Sequence, residues 1–350
     1  MKTGMIINYA GGFDETVEEL VALEEAGLAL VAMPEDYSFD GVSQLGFIAA
    51  RTKKLELLSA IFQIYSRTPT LTAMTAAGLD YVSGGRFTMG IGASGPQVIE
   101  GFHGLKYDAP LGRTREVMEI CRQVWRREPV VHHGKHYTIP LDKEHGGSGL
   151  GKPLKLINHP VRSRIPIAVA ALGPKNVELV AELAEGWQPL FFHPQKAATA
   201  WAESLEAGYA KRDPEMGPLD IQLQIPFAIG EPDPAALQAI RKQLALYIGG
   251  MGARDKNFYN QLAVRYGYDS EAKEIQDLYL DGRKDDAAQA VPDDLVRAVS
   301  LLGTEDDVRT QLAELHAAGV TTLLTNPLAA MPEQRISDIG TLARLTAELG

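Results

Sequence analysis

The sequence predicts an α/β fold, a (β/α)8 TIM barrel with insertion segments. Two observations carry that prediction. Apolar strand-like runs alternate with helical periods, and each early helix closes on a glycine or a polar turn before the next strand begins. The early strand-to-helix turns carry no G-x-G-x-x-G fingerprint, which weighs against a doubly wound sheet. Residues 1–350 read as one barrel domain, with insertions at about 128–164 and 249–294.

The elements follow in order. Residues 4–9 form a first strand ending at Ala10-Gly11-Gly12. Asp14 caps the next helix, in which Val17, Leu20 and Val21 share a face, and Gly27 ends it. Residues 28–33 are a second strand, with Glu35 and Asp36 at its exit, and a short helix spans 44–51. Residues 55–64 are a third strand, and Pro69 starts the helix after it. Ser83-Gly84-Gly85 turns the chain into a fourth strand at 86–91. A strong helix covers 113–127. The rhythm then breaks over 128–164, which has no sustained period and holds a hairpin near 130–137.

The rhythm returns with a fifth strand at 165–172 and a helix whose Val177, Val180, Ala181 and Ala184 share one face. A sixth strand (187–192), a helix (197–209), a seventh strand (221–229) and a helix (234–247) follow. Residues 257–294 read as polar and helical. A helix at 306–318, an eighth strand at 320–325 and a terminal helix close the chain.

Composition limits the function classes. The net charge of −11 argues against nucleic acid or an anionic membrane as the main partner. No apolar run is long enough to span a bilayer, and the N-terminus enters a strand-like run without a leader peptide. Cys121 is the only cysteine, so neither an internal disulfide nor a cysteine-rich metal site is expected. It shares a helical face with Val117, Ile120 and Val124 and reads as a buried small hydrophobe. Together these features place the protein in the cytoplasm.

In a barrel the active site lies at the C-terminal ends of the strands. After strand four come Gly92, Ala93, Ser94 and Gly95, small residues that let the backbone approach a ligand. After strand five, Gly173, Pro174, Lys175 and Asn176 open a helix whose free N–H groups and positive dipole end suit an anion. Two such exits, neighbours in a barrel, favour one phosphate-bearing ligand. Glu35 and Asp36 can accept hydrogen bonds or exchange a proton. Arg67 can face a phosphate or pair with a carboxylate. His132, His133, His136, His145 and His159 lie in irregular segments without ligand spacing and read as surface-loop residues. His193 stands directly after strand six, placed for catalysis or for packing. No serine-hydrolase or zincin motif is present.

These residues carry a resemblance. Tyr65-Ser66-Arg67-Thr68-Pro69, the run Leu79 to Arg86 with Gly90-Ile91-Gly92 behind it, and Gly173-Pro174-Lys175-Asn176 with Glu185-Gly186-Trp187 resemble the luciferase-like monooxygenase superfamily. The closest likeness is to its branch of oxidoreductases that use the deazaflavin coenzyme F420. The resemblance implies a barrel with an extended insertion and a non-prolyl cis peptide in strand three, at Ala60-Ile61, touching the deazaflavin ring. It implies that Gly92 to Gly95 and Gly173 to Asn176 hold the coenzyme's phosphate and tail. Glu35 or Asp36 would reach the polar edge of the ring. It also implies a homodimer, with the outer helices and the segment 249–252 as candidate contacts.

Relatives that oxidise a sugar phosphate carry a histidine just after the strand-two acid. Here the chain reads Pro34-Glu35-Asp36-Tyr37, which does not support that substrate. The strand-three exit does not support a pterin either. The expected function is hydride transfer between C5 of the deazaflavin and a small organic substrate. An FMN-dependent monooxygenase and a non-catalytic flavin- or deazaflavin-binding protein stand as alternatives.

Overall fold

The computed structural model describes residues 1–7 and 12–349; the expected end of the first strand and its Ala10-Gly11 turn lie outside them. Eight parallel strands close into a barrel: β1 (Lys2–Ile6), β2 (Leu30–Met33), β3 (Glu56–Ser59, continued by Phe62–Gln63), β4 (Phe87–Gly92), β5 (Ile167–Ala170), β6 (Gly186–Gln188), β7 (Asp220–Ile229) and β8 (Thr322–Pro327). Gly4 pairs with Leu30, Leu30 with Glu56, Met89 with Ile167, and Gln222 with Thr322. Lys2 against Thr322 closes the ring.

Alternation explains the two cores. Ile6, Leu30, Ala32, Leu58, Ala168 and Leu324 form one buried cluster, which fills the barrel. Their strand neighbours Met5, Val31, Met33 and Leu57 belong to the larger cluster under the helices. That larger layer includes α1 (Phe13–Ala26), α2 (Gly41–Arg51), α3 (Pro69–Ser83), α4 (Pro110–Trp125), α5 (Pro174–Leu183), α6 (Ala197–Tyr209) and α7 (Pro234–Ala245). Cys121 is fully buried on α4 beside Val117, Ile120 and Val124, and burial pushes its thiol well above the ordinary range.

Between β7 and β8 lie α8 (Phe258–Arg265), α9 (Asp269–Leu280), α10 (Lys284–Gln289) and α11 (Asp293–Ala298), then α12 (Glu305–Ala317); α13 (Pro332–Glu348) ends the chain. Residues 128–164 hold only a two-residue-per-strand hairpin, His132–His133 with Thr138–Ile139.

Local chemistry sets the element ends. Thr68 caps α3 by accepting the Leu71 N–H, Pro69 follows it, and Gly84 closes the helix at φ 68°. Asp14, in contrast to the sequence expectation, is not the cap: α1 starts two residues earlier, with Gly12 as its cap, and Asp14 sits in the first turn near the helix's positive end.

Strand six is shorter than its apolar run because Pro189 has no N–H to donate and Phe191 turns to φ 54°. Strand three is interrupted at the Ala60–Ile61 peptide, which is cis. A short strand that the sequence did not announce, Leu301–Gly303, pairs with the upper end of β7. Gly249 and Gly250 lie against Tyr279, and a Cβ on Gly249 would come 2.5 Å from the Cβ of Tyr279. These glycines serve packing within the chain. Among the described residues, no helix is long and apolar enough to cross a membrane.

Candidate active site

The strand exits place the two acids after β2 in different surroundings. Glu35 is buried and fully engaged. Its carboxylate takes two hydrogen bonds from Arg67, at 2.5 and 2.8 Å, and one from the Gly41 N–H at 2.7 Å. The Arg67 guanidinium lies 4.6 Å from the ring centre of Phe62. Arg67 thus pairs with a carboxylate, one of its two expected roles. Asp36 has no ion-pair partner among the described residues. It is exposed at the rim, yet the surrounding protein pushes its carboxyl above the usual range by desolvation. Gln63 reaches toward this turn, its amide 3.4 Å from the carbonyl oxygens of Glu35 and Asp36. The other amide atom, Oε1, is buried and unpartnered among the described residues.

The β3–β4 contact depends on small residues. A Cβ on Gly90 would sit 1.7 Å from the Ser59 carbonyl oxygen, so only glycine fits there. Gly92 faces Ile61, whose Cδ1 would lie 2.8 Å from a Cβ at that position. Ala93 is half-buried, Ser94 takes φ 55°, and its carbonyl accepts from the Tyr107 hydroxyl at 3.3 Å. Gly95 leads into the one-turn helix Pro96–Ile99.

After β5, Gly173 is the N-cap of α5 and no side chain caps the helix. The Asn176 N–H bonds back to the Gly173 carbonyl at 3.0 Å, and Pro174 holds the first turn. The Lys175 ammonium is on Glu178, 2.8 Å away, and is well exposed. Phe258, the first residue of α8, lies against Gly173, and Arg265 at the end of α8 donates to the Leu172 carbonyl.

A wall of aromatic residues connects these exits, and sequence reasoning missed it. Tyr247 and Tyr259 meet edge to face at 4.7 Å, and Phe191 contacts both, at 5.3 and 6.1 Å. Tyr65 and Tyr107 pair at 5.3 Å, and the Tyr65 hydroxyl donates to the Asp108 carbonyl. Burial raises the phenol pKa values of Tyr247 and Tyr259; Asp36 lies within electrostatic reach of both, and Tyr107 of Tyr259. Phe258 and Tyr259 of α8 thereby join the loops carrying Gly173 and Phe191, and Tyr107 joins Ser94 to Tyr65 at the strand-three exit, while Asp36 is only within electrostatic reach of this wall. The available signal was weak: Tyr247 and Tyr259 flank the glycine segment 249–252 but lie on different elements.

The histidines have structural roles. His193 is buried against the Tyr266 ring, with Nδ1 unpartnered; burial first, then Lys196, lowers its pKa. His132 is not a plain surface residue, because its Nε2 lies 3.1 Å from the Glu116 carboxylate. Among the described residues, no group of His, Cys, Asp and Glu is placed to hold a metal ion.

The family model for luciferase-like monooxygenases matches residues 2–322. The chain is 40% identical to a Mycobacterium tuberculosis protein named as a candidate coenzyme F420-dependent oxidoreductase, over 98% of this chain and 99% of that one. It is 27% identical to the 5,10-methylenetetrahydromethanopterin reductase of Archaeoglobus fulgidus, over 91% of each. The solved structure of the coenzyme F420-dependent tetrahydromethanopterin reductase from Methanopyrus kandleri superposes with a TM-score of 0.80 at 22% identity, covering 99% of each chain.

Proposed function

The chain belongs to the luciferase-like monooxygenase family, and we propose that within it the protein is a coenzyme F420-dependent oxidoreductase. The carrying observation is the full-length likeness, at 40% identity, to a protein named for that coenzyme. When bound, the deazaflavin supplies or accepts a hydride at C5.

The residues present suit such a group. An uncapped helix start at Gly173 offers N–H groups and a positive dipole end to a phosphate. Gly92, Ala93, Ser94 and Gly95 keep the neighbouring exit narrow, and Gln63 holds an unused acceptor at the barrel mouth. Ala60 and Ile61, inside the rim, are the residues we assign to the face of the ring. Pro174 and Asn176 set the turn, and Lys175 stands beside it with its ammonium on Glu178.

Of the two acids, Asp36 is the one assigned to proton exchange. Its carboxyl has no ion-pair partner among the described residues and is pushed up by desolvation from the protein around it, whereas Glu35 is held by Arg67 and Gly41. Glu35 acts through Arg67, fixing the loop on which Asp36 stands. The aromatic wall limits the water around the reacting atoms.

Titrating the purified protein with oxidised F420 and with FMN, followed by fluorescence, tests the reading. Tight binding of F420 and weak binding of FMN is expected. Preference for FMN, with oxygen consumed on reduction, would favour the flavin monooxygenase. Tight binding without turnover over a broad panel of substrates would favour a binding protein. For assembly, α3 exposes Leu71, Met74, Tyr81 and Val82 along its outer side, and we assign a homodimer contact to that stripe. Sedimentation of wild type against Met74→Glu, with a dimer expected only for wild type, checks it.

A further inference from the structure

The barrel interior changes character along β7 and β8. On β7, Ile221, Leu223, Ile225 and Phe227 belong to the core under the helices, so Gln222, Gln224 and Pro226 face the barrel axis. On β8, Leu324 fills the barrel, and Asn326, two residues on, faces the same way. The register sets Gln224 beside Leu324 and Pro226 beside Asn326. The lower amides are matched within the chain: Gln188 donates to Gln222 at 3.2 Å, and Gln222 donates to Asp220 at 3.0 Å. The upper ones, Gln224 and Asn326, line a cleft of about 280 Å³ instead. Gln243 of α7 brings a third amide to it, from the segment between β7 and β8. Leu190, Phe191 and Val299 give the cleft apolar walls. All three amides are half-buried, sheltered from bulk water yet within reach of a ligand. Among the described residues, no charged side chain lines the cleft.

An amide side chain both donates and accepts hydrogen bonds. Three of them around one space suit a ligand group that does the same and carries no charge. A carboxylate would turn its oxygens toward the amide carbonyls, with no cation in the lining to offset its desolvation. A ketone could use the amide N–H groups but would leave the carbonyls unmatched, and a hydrocarbon would match neither. We infer that this cleft is a substrate subsite for an uncharged carboxamide group, held by Gln224, Gln243 and Asn326 with the adjoining carbon frame against Leu190 and Phe191. This assignment rests on the reading of the barrel mouth as a coenzyme site. In the strand order β8 stands opposite β4, so the cleft lies across the mouth from the Gly92 exit and leaves that exit to the coenzyme. Gln243 belongs to the segment between β7 and β8, so that segment and the barrel rim set substrate choice together.

The test titrates the purified protein, with and without oxidised F420, with benzamide, benzoate and acetophenone, three probes of nearly one shape. Binding is read by saturation-transfer NMR, with no turnover needed. Benzamide is expected to bind about tenfold tighter than either of the others. Gln224→Met, Gln243→Met and Asn326→Leu should each remove most of that preference while acetophenone binding stays within about twofold of wild type. F420 affinity and the melting temperature should stay as in wild type. No binding of benzamide, equal or tighter binding of benzoate or acetophenone, a preference unchanged by all three substitutions, or displacement of F420 by benzamide overturns the inference while the coenzyme reading stands. Failure of F420 to bind, with the benzamide preference intact, overturns the coenzyme reading and leaves the carboxamide site standing apart from it.

Discussion

The two ends of the barrel treat their polar groups in opposite ways. At the N-terminal end the carboxylates are matched, although Arg122 Nε and Arg212 Nη2 are buried without a partner among the described residues. Glu24 accepts from the N–H groups of Lys53, Lys54 and Leu55. Arg86 donates to the carbonyls of Ala49, Leu55 and Ser83. Asp80, fully buried, is held by Arg162, and Glu185 by Arg122 and Arg164. At the C-terminal end, among the described residues, Asp36 has no ion-pair partner and one atom of Gln63 is buried without a partner. Satisfied groups stabilise; unsatisfied ones wait for a ligand. The first end explains why the barrel stands, and the second explains what it is for.

The strongest way to break this contrast is at the satisfied end. Asp80→Ala should cost about 3–5 kcal/mol, because it leaves the Arg162 guanidinium without its carboxylate in a largely enclosed site. Thermal melts should show a drop of several degrees, while the affinity for F420 in the remaining folded protein stays as in wild type. A change in coenzyme affinity without a loss of stability would show that the two ends are not separate.

The contrast also explains what could be read from the sequence. The strands were legible because parallel strands are buried on both faces and appear as unbroken apolar runs, as Leu30–Met33 does. For the same reason the break in strand three was invisible to hydrophobicity, since residues 57–62 are apolar apart from Ser59; only the resemblance pointed to Ala60 and Ile61. Strand six was drawn too long because Phe191 and Phe192 are apolar, although Pro189 ends the pairing. The adjacent acids could not be told apart, because pairing with Arg67 depends on which side chain turns toward the strand-three exit. The aromatic wall was beyond reach: Tyr247, Tyr259 and Phe191 come from three separate segments and meet only in the fold.

Glu116 gives a smaller test, at an intermediate position. It docks the hairpin 132–139 onto α4, accepting from Lys135, His136 and Tyr137 N–H groups and facing His132. Burial alone would raise its carboxyl, but His132 and these amides outweigh that and hold it below the usual value. Its stabilising contribution is therefore present above the unfolded-state value and is lost as the pH falls through the depressed folded-state value. Glu116→Gln should cost about 1–3 kcal/mol at neutral pH and remove that acid-dependent loss. Amide exchange over 132–139 would measure it. Equal protection in variant and wild type would show that the hairpin is held by its apolar contacts instead.

Gly173→Val sharpens the other side. The backbone there is extended, at φ −70°, and a Cβ would meet only Phe258 at 3.5 Å, so the fold should tolerate the change. The added branches would cover the helix start, and F420 affinity should fall by about tenfold, with the melting temperature within a degree or two of wild type. Unchanged affinity would move the phosphate away from α5.

Asp36→Asn has the smallest effect on stability and is the most specific for function. Because desolvation raises the folded-state value of Asp36, its ionisation opposes folding. Stability attributable to the group is lost as the pH rises through that raised value, not as it falls. The asparagine variant should thus match wild type within about 0.5 kcal/mol and gain slightly on it above the carboxylate range. The pH profile of kcat/KM should behave differently. Wild type should show a limb above the ordinary carboxylate range, where Asp36 loses its proton, and the variant should lose both that limb and most of its rate. A variant that keeps the limb would assign the proton to another group.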